Sequence, residues 1–493
     1  MTIGFSATLR EGEIPLVIPV IAGNGETPVA ALSGHDPAIK DAIARAMTVA
    51  GFHGEADRLL TLLTPVQNGL RLVTLAGIGP VETITPQSLR SLGGAIAHHL
   101  RAHKHGRADV ILASLAGHKR NLVDMALDLA MGASLSGYSF HHHKTQANAA
   151  SPLDLCFCLP DARLAHEAFP RLESLTRAVW LARDLTNEPA NMLSPTGFAE
   201  RCREMTRNGL VVDVLGETAL KELAMGALLG VAQGSKEAPA VVVLEWKGSA
   251  DAPVVLLGKG VTFDSGGLLP KGPEEMWDMK NDMAGAAAVV AVMGSLAERS
   301  VPVHAVGIIG LVENMPSGHA LRPGDVIRSL SGKTIEVLHT DAEGRLVLAD
   351  LITYAQQRYA PRALIDIATL TGAMTAVLGQ EYAGLFSNND SLAAQLSRAA
   401  DSSGEKVWRL PLCDAFDKML ESSVADVQNI TKQRMAGSAT AAQFLSRFVN
   451  NVPWAHLDIC GTAWRKDKDQ YGVSGATGYG VLLLNDFFEQ TIN

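Results

Sequence analysis

Between Val337 and Asp350 the chain reads Val-Leu-His-Thr-Asp-Ala-Glu-Gly-Arg-Leu-Val-Leu-Ala-Asp, so that Asp341, Glu343 and Arg345 recur at every second residue. In an extended segment such side chains leave the backbone on one side, and the spacing predicts two carboxylates and a guanidinium converging. A second stretch adds to the same chemistry. The apolar run Val254 to Leu257 leads into Gly-Lys-Gly-Val-Thr-Phe-Asp-Ser-Gly-Gly, whose glycines predict a sharp turn around Lys259 and Asp264. Lys271 and Asp282 follow, and Asp282 stands just ahead of the Ala-rich run Ala284 to Leu296, where it would also cap a helix. The two stretches offer four carboxylates, two lysines and an arginine, with no histidine or cysteine required. Oxygen-rich sets of this kind suit one or two divalent cations. A single Asp or Glu reads as a solvated or capping carboxylate. Four together in Gly-rich and apolar surroundings would be costly to bury unpaired, and metal coordination removes that cost.

Four ordered segments carry a resemblance: Gly-Lys-Gly-Val-Thr-Phe-Asp-Ser-Gly-Gly (258 to 267), Met-Lys-Asn-Asp-Met (279 to 283), Glu-Asn-Met-Pro-Ser-Gly (313 to 318) and Thr-Asp-Ala-Glu-Gly-Arg-Leu (340 to 346). Their order and spacing resemble the signatures of the leucyl aminopeptidase family of two-metal cytosolic exopeptidases, over roughly residues 170 to 490 and only faintly before that. The resemblance implies one metal held by Asp264, Asp341 and Glu343, and another by Lys259, Asp264, Asp282 and Glu343, either Mn2+ or Zn2+. A lysine ligand must be neutral, which adjacent dications would favour. It further implies that Lys271 stabilises charge growing on the scissile carbonyl oxygen and that Arg345 holds a bicarbonate ion serving as proton shuttle. Met279 would line the pocket for the first side chain, where a thioether suits a leucine-like guest. The implied reaction is release of N-terminal amino acids from peptides, and the implied assembly is a homohexamer of two trimers with active sites facing a shared interior. The family's motif normally carries Asn where this chain has His339. That exchange is expected to leave the ligand set intact and to alter local hydrogen bonding, and the unusual Pro270-Lys271-Gly272 is expected to shift Lys271.

The elements that must position these residues belong to a chain of 493 residues, beyond the size at which one hydrophobic core stops growing, so two domains are expected. With 47% hydrophobic and 19% charged residues it reads as globular. A net charge of -9 argues against a whole-protein footprint for nucleic acid. No run reaches the roughly 20 apolar residues of a membrane span. Five cysteines without zinc-ribbon spacing suit a reducing compartment, and Cys156 and Cys158, in an apolar run, read as core. Arg10 and Glu11 fall where a secretory leader needs apolar residues, so a cytoplasmic protein is expected.

Residues 1 to 165 alternate apolar runs (Pro15 to Ile21, Leu70 to Ala76, Val110 to Leu115) with helical patterns such as Ser88 to Leu100, which predicts a small N-terminal α/β domain. The resemblance gives it a supporting role in assembly. Residues 166 to 493 form the predicted catalytic domain, opening with a linker helix whose three-four spacing begins at Arg163, with Pro170 expected to break or restart it. Strand-like runs (Ala240 to Trp246, Val254 to Leu257, Val303 to Ile309, Thr334 to Leu338, Leu364 to Ala368, Ala455 to Ile459) alternate with helical ones (Glu217 to Leu229, Ala284 to Ala297, Leu346 to Arg358, Ala439 to Val449). The expected architecture is a mixed, largely parallel sheet flanked by helices.

Several lookalikes fail on their own terms. Gly77-Ile78-Gly79 lacks the third glycine and downstream acid of a dinucleotide fingerprint, and Ser331-Gly332-Lys333-Thr334 has Ile327 where a phosphate loop needs glycine. His141 to His143 read as a solvated turn, and Pro170 occupies the place of a zincin's second histidine after His166-Glu167. Two other functional classes compete with the exopeptidase. A two-metal phosphoesterase usually recruits histidines, of which the core motifs hold only His339, and a DNA-binding regulator is opposed by the acidic balance.

Overall fold

The computed structural model describes the chain except for residues 24–36, 67–68, 117, 147–151, 207, 434, 470 and 493. It divides into two compact units, Met1–Thr176 with Asp467–Val473, and Arg177–Lys466 with Ser474–Asn493.

The first unit is built on strands β1 (Thr2–Ser6), β2 (Leu16–Ile21), β3 (Leu59–Val66), β4 (Gly69–Gly79), β5 (Arg107–Ile111) and β6 (Asp154–Cys158), with helices α1 (Pro37–Ala50), α2 (Pro86–Ala102) and α3 (Leu122–Leu135). The sheet order is β1-β6-β5-β2-β4-β3, parallel except for the antiparallel β3–β4 pair. Every residue of β2 is buried, as a continuous apolar run in a sheet covered on both faces should be. One face packs with α2 and α3, the other with α1. Gly77 to Gly79 belong to β4 itself, and His142 and His143 sit exposed in a turn.

The helix α4 (Ala162–Asn187) runs through Pro170 without interruption, contrary to the expected break. Proline removes one ladder bond, and the buried stripe Ala165, Leu172, Leu175, Val179 and Ala182 outweighs that loss.

In the second unit the strands include β7 (Val211–Gly216), β8 (Ala240–Lys247), β9 (Val254–Asp264), β10 (His304–Asn314), β11 (Asp325–Arg328), β12 (Thr334–Val337), β13 (Ala363–Ala368), β14 (Ala383–Ser387), β15 (Val407–Arg409), β16 (Val427–Gln428) and β17 (Trp454–Asp458). Eight of them form a mixed sheet in the order β15-β14-β17-β13-β9-β10-β8-β7. Its centre, from β17 through β13 and β9 to β10, is parallel. A smaller sheet, β11-β12-β16, lies in the same unit, and the lookalike Ser331 to Thr334 is the turn of the β11–β12 hairpin.

Two helices sandwich the central strands. The Ala-rich α5 (Ala284–Glu298) is buried almost all round, and a Cβ on Gly258 of β9 would come within 2.6 Å of the Ala286 Cα. Val255, Leu257 and Val261 of β9 point to the opposite face, into the cluster that includes Leu346, Val347 and Leu351 of α6 (Gly344–Tyr359). Asp350 anchors α6 from within: fully buried, it accepts the backbone N–H groups of Ala227, Leu228 and Leu330 at 2.8–2.9 Å.

Two local expectations change here. The glycines around Lys259 do not turn the chain, since β9 continues to Asp264 and they serve instead to let α5 approach. The sharp turn comes later, at Gly266 and Gly267 with φ of +87 and +65. The helical run from Glu217 to Leu229 is two helices, Glu217–Glu222 and Gly226–Ala232, separated where Ala224 takes φ 58.

Candidate metal centre

Asp264 is the last residue of β9, Asn314 the last of β10 beside it, and Thr369 follows the last residue of β13. Carboxyl ends of parallel strands are where open α/β sheets collect ligands. Asp341 and Glu343 arrive from a different direction. The stretch from Val337 to Asp350 is not extended: β12 ends at Val337, a turn follows, and Glu343 is the N-cap of α6. Arg345 therefore lies in the first helical turn, and the convergence read from period-two spacing arises from a turn and a helix start.

Side-chain oxygens of Asp264, Asp341 and Glu343 lie within 4.8 Å of one another. Lys259 Nζ stands 2.8 Å from Asp282 Oδ1 and 2.8 Å from Glu343 Oε1, and donates to the Thr369 carbonyl at 2.9 Å. Gly344 makes room for it, since a Cβ there would fall 2.5 Å from Lys259 Cε. Lys271 Nζ stands 2.8 Å from Asp264 Oδ2 and 2.5 Å from Asp341 Oδ1, the latter without hydrogen-bond alignment. All the residues implied by the resemblance as metal ligands, Lys259, Asp264, Asp282, Asp341 and Glu343, are thus brought together with Lys271. Arg345 sits beside them, its Nη1 donating to the Asn429 carbonyl at 2.6 Å. Met279 is half-buried in the short turn Met279–Asn281 that leads into Asp282. Asp282 does not cap α5, whose N-cap is Met283; its Oδ1 instead accepts from Thr369 Oγ1 at 2.7 Å and from Lys259.

Four carboxylates face two ammonium groups, which leaves negative charge in excess. Burial, reinforced by neighbouring carboxylates, raises Asp282 and Asp341 well above the usual carboxylate range despite their lysine partners. Burial alone would lower Lys259 and Lys271, but the surrounding carboxylates hold both above the usual lysine range. Burial lowers Arg345 to about 10, against the opposing pull of Glu343 and Asp458. Asp282 Oδ2 and Glu343 Oε2 are buried and accept no hydrogen bond. Orphaned carboxylate oxygens beside surplus negative charge are what hard divalent cations satisfy, so the donor set fits such ions.

Several supporting residues escaped the reading of the sequence. Asn314 donates from Nδ2 to Asp264 Oδ1 at 2.8 Å and to the Thr340 carbonyl at 3.0 Å. Thr340 Oγ1 donates to the Gly266 carbonyl and accepts from Leu269 N, folding the segment that carries Lys271 back onto the strand end. Lys271 N itself donates to the Ser265 carbonyl at 2.9 Å. Asn429, fully buried after β16, accepts from Leu338 N (2.8 Å) and His339 N (3.2 Å) and donates to the His339 carbonyl at 2.7 Å. Asn314 lay inside a recognised motif and was legible there; Thr369 and Asn429 carry no local signal. At His339, Nδ1 accepts the Asp341 backbone N–H at 3.2 Å. The ring acts here as an acceptor, in the way a short amide side chain closes a turn.

Known proteins resemble this chain in sequence and in fold. Residues 180–485 match the model described as cytosol aminopeptidase family, catalytic domain, and residues 17–147 match the N-terminal domain of the same family. A probable cytosol aminopeptidase of Brucella ovis is 44% identical over 492 residues, covering 97% of each chain. One from Rhizobium etli is 45% identical over 458 residues, covering 92% of this chain and 91% of the relative. Among solved structures, a bottromycin maturation enzyme, BotP, in complex with Mn superposes with TM-score 0.86 at 34% identity, covering 98% of this chain and 100% of that one. A tomato leucine aminopeptidase mutant superposes with TM-score 0.86 at 32% identity, covering 99% and 96%. Matches to both family domains and to relatives along nearly the whole length place it: the chain belongs to the cytosol aminopeptidase family of peptide hydrolases.

Proposed function

We propose that this protein is a metal-dependent aminopeptidase that releases N-terminal residues from peptides, preferring leucine and other apolar side chains, with two divalent cations, Mn2+ or Zn2+, per chain. The observation that carries the reading is the convergence of Asp264, Asp282, Asp341 and Glu343 with Lys259 and Lys271 in one buried cluster. Asp264 and Glu343 would bridge the two ions, Asp341 would complete one ligand set, and Asp282 with a neutral Lys259 the other. When bound, such ions activate water at neutral pH and polarise a carbonyl.

The chain's own groups supply the rest. Once its carboxylate partners are engaged by cations, Lys271 presents an ammonium group to the negative charge that develops on the scissile carbonyl oxygen, a role of about 2.7–4 kcal/mol for a comparable donor. Arg345 is 5% exposed and its Nε has no hydrogen-bond partner, so it offers a donor to a small planar anion; bicarbonate fits and would carry the proton from water to the leaving amine. Met279 would shape the pocket for the first side chain. The free amine of the substrate would be recognised at the Asp282 end of the cluster, which confines cleavage to the first bond. A homohexamer in the cytoplasm, with the N-terminal unit (about residues 1 to 165) supporting assembly of the catalytic portion, completes the proposal. It rests on family membership; no described helix is long and apolar enough to cross a membrane.

Assaying the purified protein on a panel of amino-acid amides tests the reading. Leucine and methionine amides should turn over best, chelation should abolish activity, Mn2+ or Zn2+ should restore it, and N-acetylation should block it. Equal hydrolysis of free and acetylated substrates would reject the exopeptidase.

A further inference from the structure

The first unit holds a second convergence of donors. Cys156, Cys158 and Asp109 are buried, and each offers a ligand atom within 4.8 Å of the other two. Strand register brings this about. β5 and β6 are parallel neighbours, with Asp109 opposite Cys156 and Ile111 opposite Cys158, and residues two apart on a strand share a face. Leu155 and Phe157 point the other way, into the apolar cluster with α2 and α3, whereas neither cysteine joins an apolar cluster among the described residues.

Polar groups reach this face beside the apolar Ile111. Arg10 donates from Nε to Asp109 Oδ1 at 2.6 Å, from its backbone N to Oδ2 at 2.9 Å, and from Nη1 to Asp154 Oδ2 at 2.5 Å. Cys158 Sγ lies 3.7 Å from the Thr8 carbonyl. Both cysteines are buried, as expected of core residues, yet they share their face with Asp109 and Arg10. A hydrogen bond between the two sulfurs lowers the Cys156 thiol and raises the Cys158 thiol.

We propose that Cys156 and Cys158 form a second metal site, distinct from the oxygen-rich centre, that takes a thiophilic divalent cation such as Zn2+ or Cd2+, with Asp109 as third donor. Each thiol loses its proton to solvent as a metal–sulfur bond forms, so two protons leave per ion bound. Each Asp109 oxygen spends one lone pair on Arg10 and keeps another for the metal. With Asp154 and Arg107 counted, the charges balance: two thiolates and two carboxylates face two guanidinium groups and one dication. Sulfur donors select soft cations while carboxylates favour hard ones, so the two centres of this chain should sort metals between them.

Titrating the full-length protein with Cd2+ and recording thiolate-to-metal charge-transfer absorption in the ultraviolet tests this. The wild-type protein should show the band. Cys156→Ser and Cys158→Ser should each lose it while retaining amide hydrolysis, and Cys460→Ala, a thiol near Asp282, should keep it. Phenylarsine oxide, which bridges paired thiols, should compete the band away in the wild-type protein, a measurement that depends on no variant folding. Absence of the band in the wild type, its survival in both serine variants, or indifference to the arsenical would overturn the site.

Discussion

The residues of the candidate centre differ in what their loss should do. Asp264 Oδ1 is held by Gly266 N and Asn314 Nδ2, and Oδ2 faces Lys271, so the carboxylate is oriented from three sides at the middle of the cluster. Asp282 lies at one end, tied to Lys259 and Thr369. Asp264→Ala should therefore lose both cations and Asp282→Ala about one, because a bridging ligand serves two ions and a terminal ligand serves one. Metal analysis of the two purified variants decides this, and full metal content in both would discard the ligand assignment. Lys271→Ala and Arg345→Ala should keep their metal and lower kcat, Lys271→Ala by about 10²–10³-fold, since in the proposed mechanism these groups act on developing charge or on the proton carrier. At this scale the acids and lysines were legible because their types are rare in Gly-rich and apolar runs, and the motifs gave them roles. Thr369 was not, because a lone threonine after a strand has many ordinary uses.

Among the elements, the turn between β12 and α6 carries two of the proposed ligands, and it is a segment from nearly a hundred residues later that holds it. Asn429 satisfies the N–H groups of Leu338 and His339 and the carbonyl of His339, while its own carbonyl takes Arg345. Asn429→Ala takes the side-chain partner from the part-buried Leu338 and His339 groups, at up to about 1–3 kcal/mol for each group left unsatisfied, while the Arg345 bond to the backbone carbonyl stays. The variant should show a lower denaturation midpoint and weaker metal retention on dialysis, and an unchanged midpoint would show that the turn holds itself. Period-two spacing suggested a strand here because alternation is all that a short stretch displays. The helix that begins at Gly344 is chosen by packing of Leu346, Val347 and Leu351 against β9 and β10, a contact invisible in the local sequence.

For the whole molecule, the two family domains match the two compact units in kind. The proposed hexamer predicts a scattering mass about six times the 52.2 kDa of one chain. A stable, fully active monomer in light scattering would remove that part of the proposal.

By itself the sequence determined the α/β class, the family and the identity of the cluster's charged residues, because apolar runs and ordered motifs are written in neighbouring positions. Only the tertiary structure decided how they meet. Lys259 lies in an unbroken strand, Asp341 and Glu343 arrive on a turn, Asn429 clamps that turn from just beyond a remote strand, and Cys156 and Cys158 meet Asp109 on one buried face of their sheet. These outcomes depend on strand register and on hydrogen bonds between residues far apart in the chain, and such pairings are settled by the packing of the whole sheet, on which a local pattern is silent.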